Sequence, residues 1–166
     1  MISLLSDLLR MSLDNTGFQE VTLKEEMEFL KTYLEIQKIR FQKRLKIQMD
    51  IAPETLDALV PNLSLQPLVE NAIKHGVSPR KSGGEVGIQT RRAGGYLQVH
   101  IWDTGKGFQK KGSDMKAGIG IQNTKERLLQ LYEDDHRFVL DNGDNGGARV
   151  MMEIPFRVRE SKKAKS

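Results

Sequence analysis

Hydrophobic residues recur at helical spacing through the first 41 residues of the chain. The first stripe consists of Leu4, Leu5, Leu8, Leu9 and Leu13. Residues 15–17 (Asn-Thr-Gly) then favour a stop, so this stripe predicts the end of a helix. A second helix is predicted from Thr22, which forms a Thr-x-x-Glu capping box with Glu25, to about Phe41.

The second predicted helix carries two neighbouring stripes, which are Leu23, Met27, Leu30, Leu34 and Phe41 on one and Phe29, Tyr33, Ile36 and Arg40 on the other. A helix with an apolar stripe buries that stripe against another element. Two stripes therefore predict a helix that packs between two partners.

From Leu45 the period changes to two, and apolar and polar residues alternate up to Pro53. The predicted elements are a strand at 45–51, a helix at about 63–75 opened by Pro61 and closed by Gly76 and Pro79, strands at 85–92 and 96–102 joined by Gly94-Gly95, a helix at about 120–134, and strands at 137–142 and 148–155. This order predicts an α+β sandwich, with helices on one face of a mostly antiparallel sheet. Residues 103–117 are too polar to pack in a core, and we expect them to form a mobile loop.

Composition narrows the possible functions. The chain has 166 residues, which suits one domain with a small appendage, and it has no cysteine, which excludes disulfides, thiolate metal sites and cysteine nucleophiles. The net charge of +4 belongs entirely to residues 157–166, because five basic residues there outnumber Glu160. A neutral body is not the broad basic face that nucleic-acid binding needs, and we expect the tail to be disordered. No apolar stretch is long enough to be a membrane span or a secretory signal.

The common nucleotide and hydrolase motifs are absent from the sequence. It contains no Gly-x4-Gly-Lys-Ser/Thr loop, no Gly-x-Gly-x-x-Gly, no Gly-x-Ser-x-Gly and no His-Glu-x-x-His. The three histidines, His75, His100 and His136, fall in unrelated segments, which gives little support to a histidine metal cluster.

Glu70 and Asn71 stand out because they interrupt an otherwise apolar helical segment, with Lys74 and His75 one turn later. One interpretation is local: Glu70 pairs with Lys74 at i,i+4, and Asn71 satisfies a backbone group. The other is chemical: Asn71 supplies a hard oxygen to Mg²⁺, and Glu70 orients or deprotonates a nucleophile.

A second cluster follows the strand at 96–102. Asp103 begins the run Asp-Thr-Gly-Lys-Gly-Phe, which is either a plain turn or a site where a carboxylate accepts from the amine of a base. Gly105 and Gly107 would let the backbone approach a flat ligand closely. Gly118 and Gly120 open the next helix, where free amide groups could hold phosphate oxygens, or they form a hinge.

These motifs, in this order, resemble the nucleotide-binding boxes of the gyrase, Hsp90, histidine kinase and MutL ATPase superfamily. LVENAIKHG resembles the N box, DTGKGF the G1 box, and GIG with IQNTKERL the G2 box. The flanking runs LSDLLRMSL and VTLKEEMEFLKTYLEIQKIRF are similar to the LytS-like branch of bacterial sensor histidine kinases, and the similarity extends from about residue 3 to residue 156.

The resemblance implies the Bergerat fold, a two-layer α/β sandwich with a mixed, mostly antiparallel sheet preceded by one or two helices. It also implies ATP and Mg²⁺ as ligands, with residues 109–117 as a lid. In it Asn71 would ligate Mg²⁺, Asp103 would recognise the adenine amine, and Gly105 and Gly107 would shape the base pocket. The residues expected beside the phosphates are Lys74, His75, Gly118 and Gly120. Glu70 is a tentative catalytic residue, since the matching acid activates water in some members of the superfamily.

One part of the family pattern is missing. The phosphate-accepting histidine of this branch lies in an Asn-Pro-His-Phe-Leu-Phe-Asn stretch upstream of LSDLLR, and the chain lacks that stretch. We therefore expect residues 1–41 to be the remnant of the dimerisation and phosphoacceptor region, residues 42–156 to be the catalytic domain and residues 157–166 to be a tail. We expect no autophosphorylation by this chain alone.

The same resemblance implies the setting of the protein. We expect a cytoplasmic portion of a membrane-anchored homodimeric kinase, whose partners are ATP, its own phosphoacceptor region and a response regulator, but not nucleic acid. The alternatives from the sequence are a regulatory or scaffold module of the same fold, and a related ATPase or protein serine kinase.

Overall fold

A five-stranded sheet forms the centre of the molecule. The computed structural model describes residues 4–6, 9, 20–111, 114, 115 and 117–160. The strands of this sheet, in chain order, are β2 (Leu45–Ile51), β4 (Gly84–Ala93), β5 (Tyr96–Asp103), β8 (Arg137–Asn142) and β9 (Ala148–Pro155). Two further short strands, β1 (Glu20–Thr22) and β3 (Leu59–Pro61), lie outside this sheet. The spatial order is β2-β4-β5-β9-β8, and all neighbours are antiparallel except β2 and β4. The predicted strands at 45–51, 137–142 and 148–155 are confirmed, and so is the hairpin at Gly94-Gly95, where Ala93 pairs with Tyr96.

Three helices complete the layer on one face of the sheet. They are α1 (Leu23–Phe41), α2 (Gln66–Gly76) and α3 (Ile119–Tyr132). Leu97, Val99 and Ile101 of β5 point into the core that these helices share with the sheet. The α+β class and the mixed, mostly antiparallel sheet are thus confirmed. No helix in the part of the chain described here is long and apolar enough to cross a membrane.

The capping box of α1 forms as predicted. The Oγ1 of Thr22 accepts from the backbone N–H of Glu25, and the Glu25 carboxylate accepts from the backbone N–H of Thr22. On α1, the predicted stripe from Leu23 to Phe41 is buried in the core. In the neighbouring stripe, Phe29 and Ile36 are also buried, whereas Arg40 is exposed. In the preceding leucine stripe, residues 4–6 and 9 are helical, and Leu8 and Leu13 lie outside the described residues.

The predicted start of the helix at about residue 63 is wrong. Pro61 does not open a helix: it ends β3, which pairs antiparallel with β1, and neither of these short strands was expected. Leu63 then adopts a positive φ of 56°, which a helix cannot contain, so α2 begins at Gln66 with Pro67 in its first turn. Pairing with a distant segment, which periodicity does not reveal, decides this boundary.

The polar loop and the tail also differ from expectation. The pair β6 (Lys110–Lys111) and β7 (Asp114–Met115) forms a small antiparallel ribbon within the predicted loop. Residues 157–159 do not form a disordered tail, because Val158 bridges to Ala58 and Arg157 and Arg159 pair with acids of the first 25 residues. Residues 161–166 lie outside the described residues.

Candidate functional site

The site is built where the end of α2 meets the end of β5. A Cβ added to Gly76 would lie 2.5 Å from the Cβ of Asp103 and 2.8 Å from its Oδ1. A Cβ on Gly105 would lie 2.5 Å from the Cα of Gly76. Distances under 3.0 Å are closer than non-bonded carbon atoms approach, so both positions require glycine. The N-box and G1 segments are therefore in direct backbone contact.

Asp103 is the buried carboxylate of this junction, with 5% of the residue exposed. Its Oδ1 accepts from the backbone N–H of Gly105 at 2.7 Å and of Ala148 at 3.4 Å. Burial raises the pKa of Asp103, while these two bonds and the nearby His75 lower it. Within the described residues, both hydrogen bonds go to Oδ1, so Oδ2 is available to accept a hydrogen bond from a ligand.

The loop after Asp103 is held in position by two further contacts. Gly107 has a φ of 78°, in the region that favours glycine, and a Cβ there would lie 2.4 Å from the backbone oxygen of Gly146. The Asn142 side chain accepts from the backbone N–H of Phe108 at 2.7 Å and donates to its carbonyl at 3.1 Å. These contacts fix the position of the loop beside Asp103.

Asn71 lies midway along α2, and it is half-buried. Its carboxamide makes no hydrogen bond among the described residues, whereas the neighbouring side chain of Glu70 does. On the same helix, Pro67 lies four residues before Asn71 and contacts Gly120, and Gly76 lies five residues after it and contacts Asp103. Asn71 is therefore about 6–7.5 Å along the helix axis from each of these two contacts.

Glu70 is exposed, and its Oε1 accepts from the Nε2 of Gln66 at 2.7 Å. The local interpretation, in which Glu70 pairs with Lys74, is wrong. In the described part of the chain the partner of Glu70 is Gln66, one turn earlier on α2. Lys74 and His75 are both exposed at the end of α2.

The start of α3 completes the arrangement. Gly118 is its N-cap and makes no side-chain capping bond, and the first turn carries no acidic residue. A Cβ on Gly120 would lie 3.1 Å from the Cβ of Pro67, so the start of α3 abuts the first turn of α2. Backbone N–H groups of a helix's first turn have no partner within the helix, and they attract anions.

The predicted lid lies only partly in the structure. Residues 112, 113 and 116 are outside the described residues. Phe108, which directly precedes the predicted lid, and Ala117, its last residue, pack against the core. Among the described residues, no group of three or more histidine and acidic side chains could hold a metal ion, so any metal here would need ligands such as an amide oxygen.

Sequence reasoning did not assign Gly76 and Asn142 to the site. Gly76 was interpreted as a helix stop, and its position after the His of the N-box run is the signal that could have identified it. Asn142 precedes a glycine-rich turn, and nothing in its sequence context indicates a bond to a loop 34 residues away.

Comparison with protein families shows which family the chain belongs to. The family model described as histidine kinase-, DNA gyrase B-, and HSP90-like ATPase matches residues 59–158, and the model described as histidine kinase matches residues 1–45. The chain belongs to this ATPase family. The resemblance drawn from the N, G1 and G2 boxes is therefore confirmed, and membership of the family implies ATP binding.

Several sensor kinases are similar to this member of the family. It is 35% identical to the sensor histidine kinase BtsS of Escherichia coli over 82% of the chain and 24% of BtsS. It is 32% identical to the sensor protein LytS of Streptococcus agalactiae over 94% of the chain and 28% of LytS. The chain thus spans about a quarter of the length of the curated relatives it matches.

The fold agrees with the family. The catalytic domain of the histidine kinase ThkA superposes with a TM-score of 0.65, covering 86% of this chain and 99% of that domain at 17% identity. At this identity the likeness shows the fold alone, which is the Bergerat fold of histidine kinase catalytic domains.

Proposed function

We propose that this chain is the catalytic domain of a sensor histidine kinase, which positions Mg·ATP for phosphoryl transfer to a histidine outside these 166 residues. The observation that carries the proposal is Asp103, a buried carboxylate with one oxygen fixed by two backbone N–H groups and the other open to a ligand. Such a group suits a hydrogen-bond donor on a flat, largely apolar molecule.

In this proposal the exocyclic amine of adenine donates to Oδ2 of Asp103. Gly105 and Gly107 let the loop beside Asp103 pack directly against residues 75, 76 and 146, whose backbone would collide with side chains at these two positions. The bond between the fixed carboxylate and an amine distinguishes adenine from guanine, which presents a carbonyl at the same position.

The phosphates would lie between α2 and the start of α3. We propose that the carboxamide oxygen of Asn71 holds Mg²⁺, which fits a hard cation that keeps most of its ligands as water and phosphate oxygens. The bound ion neutralises charge on the phosphates. The unpaired N–H groups after Gly118 and Gly120, with Lys74 and His75, would stabilise the remaining negative charge.

Phosphoryl transfer needs little beyond positioning and charge stabilisation. We propose that Glu70, exposed and oriented by Gln66, faces the incoming histidine and accepts its proton or orients its ring.

Residues 1–41 would be the end of the dimerisation and phosphoacceptor region, and residues 42–156 would be the catalytic domain. The parent kinase would be a homodimer that passes phosphate to a response regulator from the cytoplasmic side of a membrane.

Calorimetric titration with a non-hydrolysable ATP analogue and Mg²⁺ tests the adenine assignment. Asp103→Asn can place an amide NH₂ opposite the adenine amine, and losing a hydrogen bond to a charged group costs about 1.5–3 kcal/mol, so we expect roughly 10- to 100-fold weaker binding. Asp50→Asn is the matched control, because Asp50 is exposed on the edge strand β2 and pairs with Arg91.

Equal affinities for the wild type and Asp103→Asn would refute the adenine assignment. No binding by the wild type at all would favour a scaffold module that has kept the fold without the nucleotide.

A further inference from the structure

Glu26 of α1 is a buried acid whose carboxylate contacts the segment that leads into α2. The residue is 2% exposed. Its Oε1 accepts from the backbone N–H of Leu65 at 2.9 Å, and its Oε2 accepts from the backbone N–H of Leu63 at 3.0 Å. The backbone N–H of Gln66 also acts on this carboxylate. Glu26 thus serves three of the four positions 63–66 at the entrance to the N-box helix.

Helix α2 has no cap of its own. Leu65 occupies the N-cap position without a side-chain hydrogen bond, and Pro67 in the first turn has no N–H to offer. The exposed N–H groups at a helix start normally need an acceptor, most often a side chain at the N-cap. Here the acceptor comes from a different helix.

The backbone at this entrance is also strained. Leu63 has a φ of 56°, a conformation that is unfavourable for a non-glycine residue and persists only where the surroundings enforce it. The bond from its N–H to Glu26 is one such constraint. Strain of this kind is typical of positions where a precise backbone path matters.

A third element joins at the same place. Arg127 of α3 donates to the carbonyl oxygen of Asn62, and its positive charge lowers the pKa of Glu26. Burial acts in the opposite direction and is the largest effect, so the pKa of Glu26 is raised to about 7. A buried carboxylate contributes little to stability compared with an uncharged residue of the same shape, which points to a role other than stability.

We propose that Glu26 is a positioning residue through which α1 fixes the first turn of α2 and thereby the location of Asn71. Asn71 follows Gln66 by about one and a half helical turns, so a displacement of the first turn moves Asn71 with it. This inference rests on the proposed role of Asn71 as a ligand of Mg²⁺. It makes α1 part of the nucleotide site although no residue of α1 belongs to the N, G1 or G2 segments.

Glu26→Gln tests the proposal with little change of shape. The variant keeps one acceptor oxygen but turns an NH₂ towards the backbone N–H groups. The affinity of a non-hydrolysable ATP analogue is measured with Mg²⁺ and with EDTA, so that the gain due to Mg²⁺ is separated from recognition of the base. Asn71→Ala shows how far the affinity falls when the Mg²⁺-dependent part is lost. Glu28→Gln is the matched control, because Glu28 is an exposed acid on the same helix as Glu26.

We expect Glu26→Gln to weaken binding at least fivefold with Mg²⁺ and to leave the affinity in EDTA unchanged. We also expect faster amide hydrogen exchange at Leu63 and Leu65, with unfolding by urea at pH 8 no easier than in the wild type. A merely structural role would instead lower stability and both affinities together.

Unchanged Mg²⁺-dependent affinity, or a parallel loss of affinity with Mg²⁺ and EDTA, would overturn the inference while leaving the proposed function intact. Failure of the wild type to gain affinity from Mg²⁺ would overturn the inference together with the proposed role of Asn71.

Discussion

Individual residues at the site are constrained by contact with backbone more than by their own chemistry. Asp103 receives its two N–H bonds only because the chain passes close on both sides, at Gly105 and Ala148. The closeness requires residues without side chains, and Gly76 is the clearest case, since its missing Cβ makes room for the carboxylate itself. The position of the Asp103 carboxylate is therefore set by its neighbours.

We predict that Gly76→Ala impairs both folding and nucleotide binding. The added methyl would lie 2.5–2.8 Å from the Asp103 side chain. Overpacking of this kind costs about 1–3 kcal/mol, and here relief of the clash must displace either Asp103 or the end of α2. Urea denaturation followed by Trp102 fluorescence gives the stability, and titration with the ATP analogue gives the affinity.

Gly95→Ala is the control for that experiment, because a Cβ at Gly95 meets no atom within 4 Å. If Gly76→Ala bound nucleotide as tightly as Gly95→Ala, the close packing of α2 against Asp103 would have no importance for the site.

At the level of elements, the start of α2 is decided by its neighbours. Periodicity and Pro61 favour a helix from about residue 63, but pairing of β3 with β1 keeps Pro61 extended and shifts the helix to Gln66. The new start then depends on Glu26 for its cap. A buried acid in this position makes the stability of the fold depend on pH.

We predict that Glu26 lowers stability as the pH rises from about 5 to 8. Its pKa is raised from 4.5 to about 7 in the folded protein, so the folded state keeps a proton that the unfolded state releases between those values. Stability from this group is present at low pH and is lost as the pH rises through about 7. We expect the difference between wild type and Glu26→Gln to change by on the order of 1–3 kcal/mol.

Urea denaturation of both proteins at pH 5, 6, 7 and 8 measures that difference, and other titrating groups cancel because the two chains share them. Curves that stay parallel over this range would show that Glu26 titrates at its ordinary pKa.

Across the whole molecule, residues 157–159 pack against the segment around the start of α1. Arg157 pairs with Glu20 at 3.0 Å and Arg159 with Glu25 at 3.1 Å, while the N–H of Leu59 donates to the carbonyl of Arg157. The Arg157 guanidinium also lies 5.2 Å from the centre of the Tyr132 ring. Residues 157–159 therefore close the fold around β1, β3 and α3.

We predict that truncation after Phe156 destabilises the protein and truncation after Glu160 does not. Exposed ion pairs contribute up to about 1 kcal/mol each, and a backbone hydrogen bond about as much, so the shorter chain should lose about 1–3 kcal/mol. Thermal unfolding of the two truncated proteins beside the full chain measures this, and equal midpoints for all three would contradict the prediction.

Much of the fold and of the candidate site could be predicted because the information is local. The alternation in β5, the capping box of Thr22 and the glycines at the hairpin each depend on residues a few positions apart. The N, G1 and G2 segments were identified in the same way. By contrast, β1 and β3 are too short for a periodic signal, and the bond from Asn142 to Phe108 joins distant segments.

The sequence by itself determined the class of fold, most strand boundaries and the family, because these depend on periodicity and on short runs of residues. Only the tertiary structure decided that Gly76 makes room for Asp103, that Glu70 is oriented by Gln66 and not by Lys74, and that Glu26 caps a helix 40 residues away. The physical reason is that a buried carboxylate or a missing Cβ acquires its role from whichever backbone packs against it, and that neighbour is chosen by the folded chain as a whole.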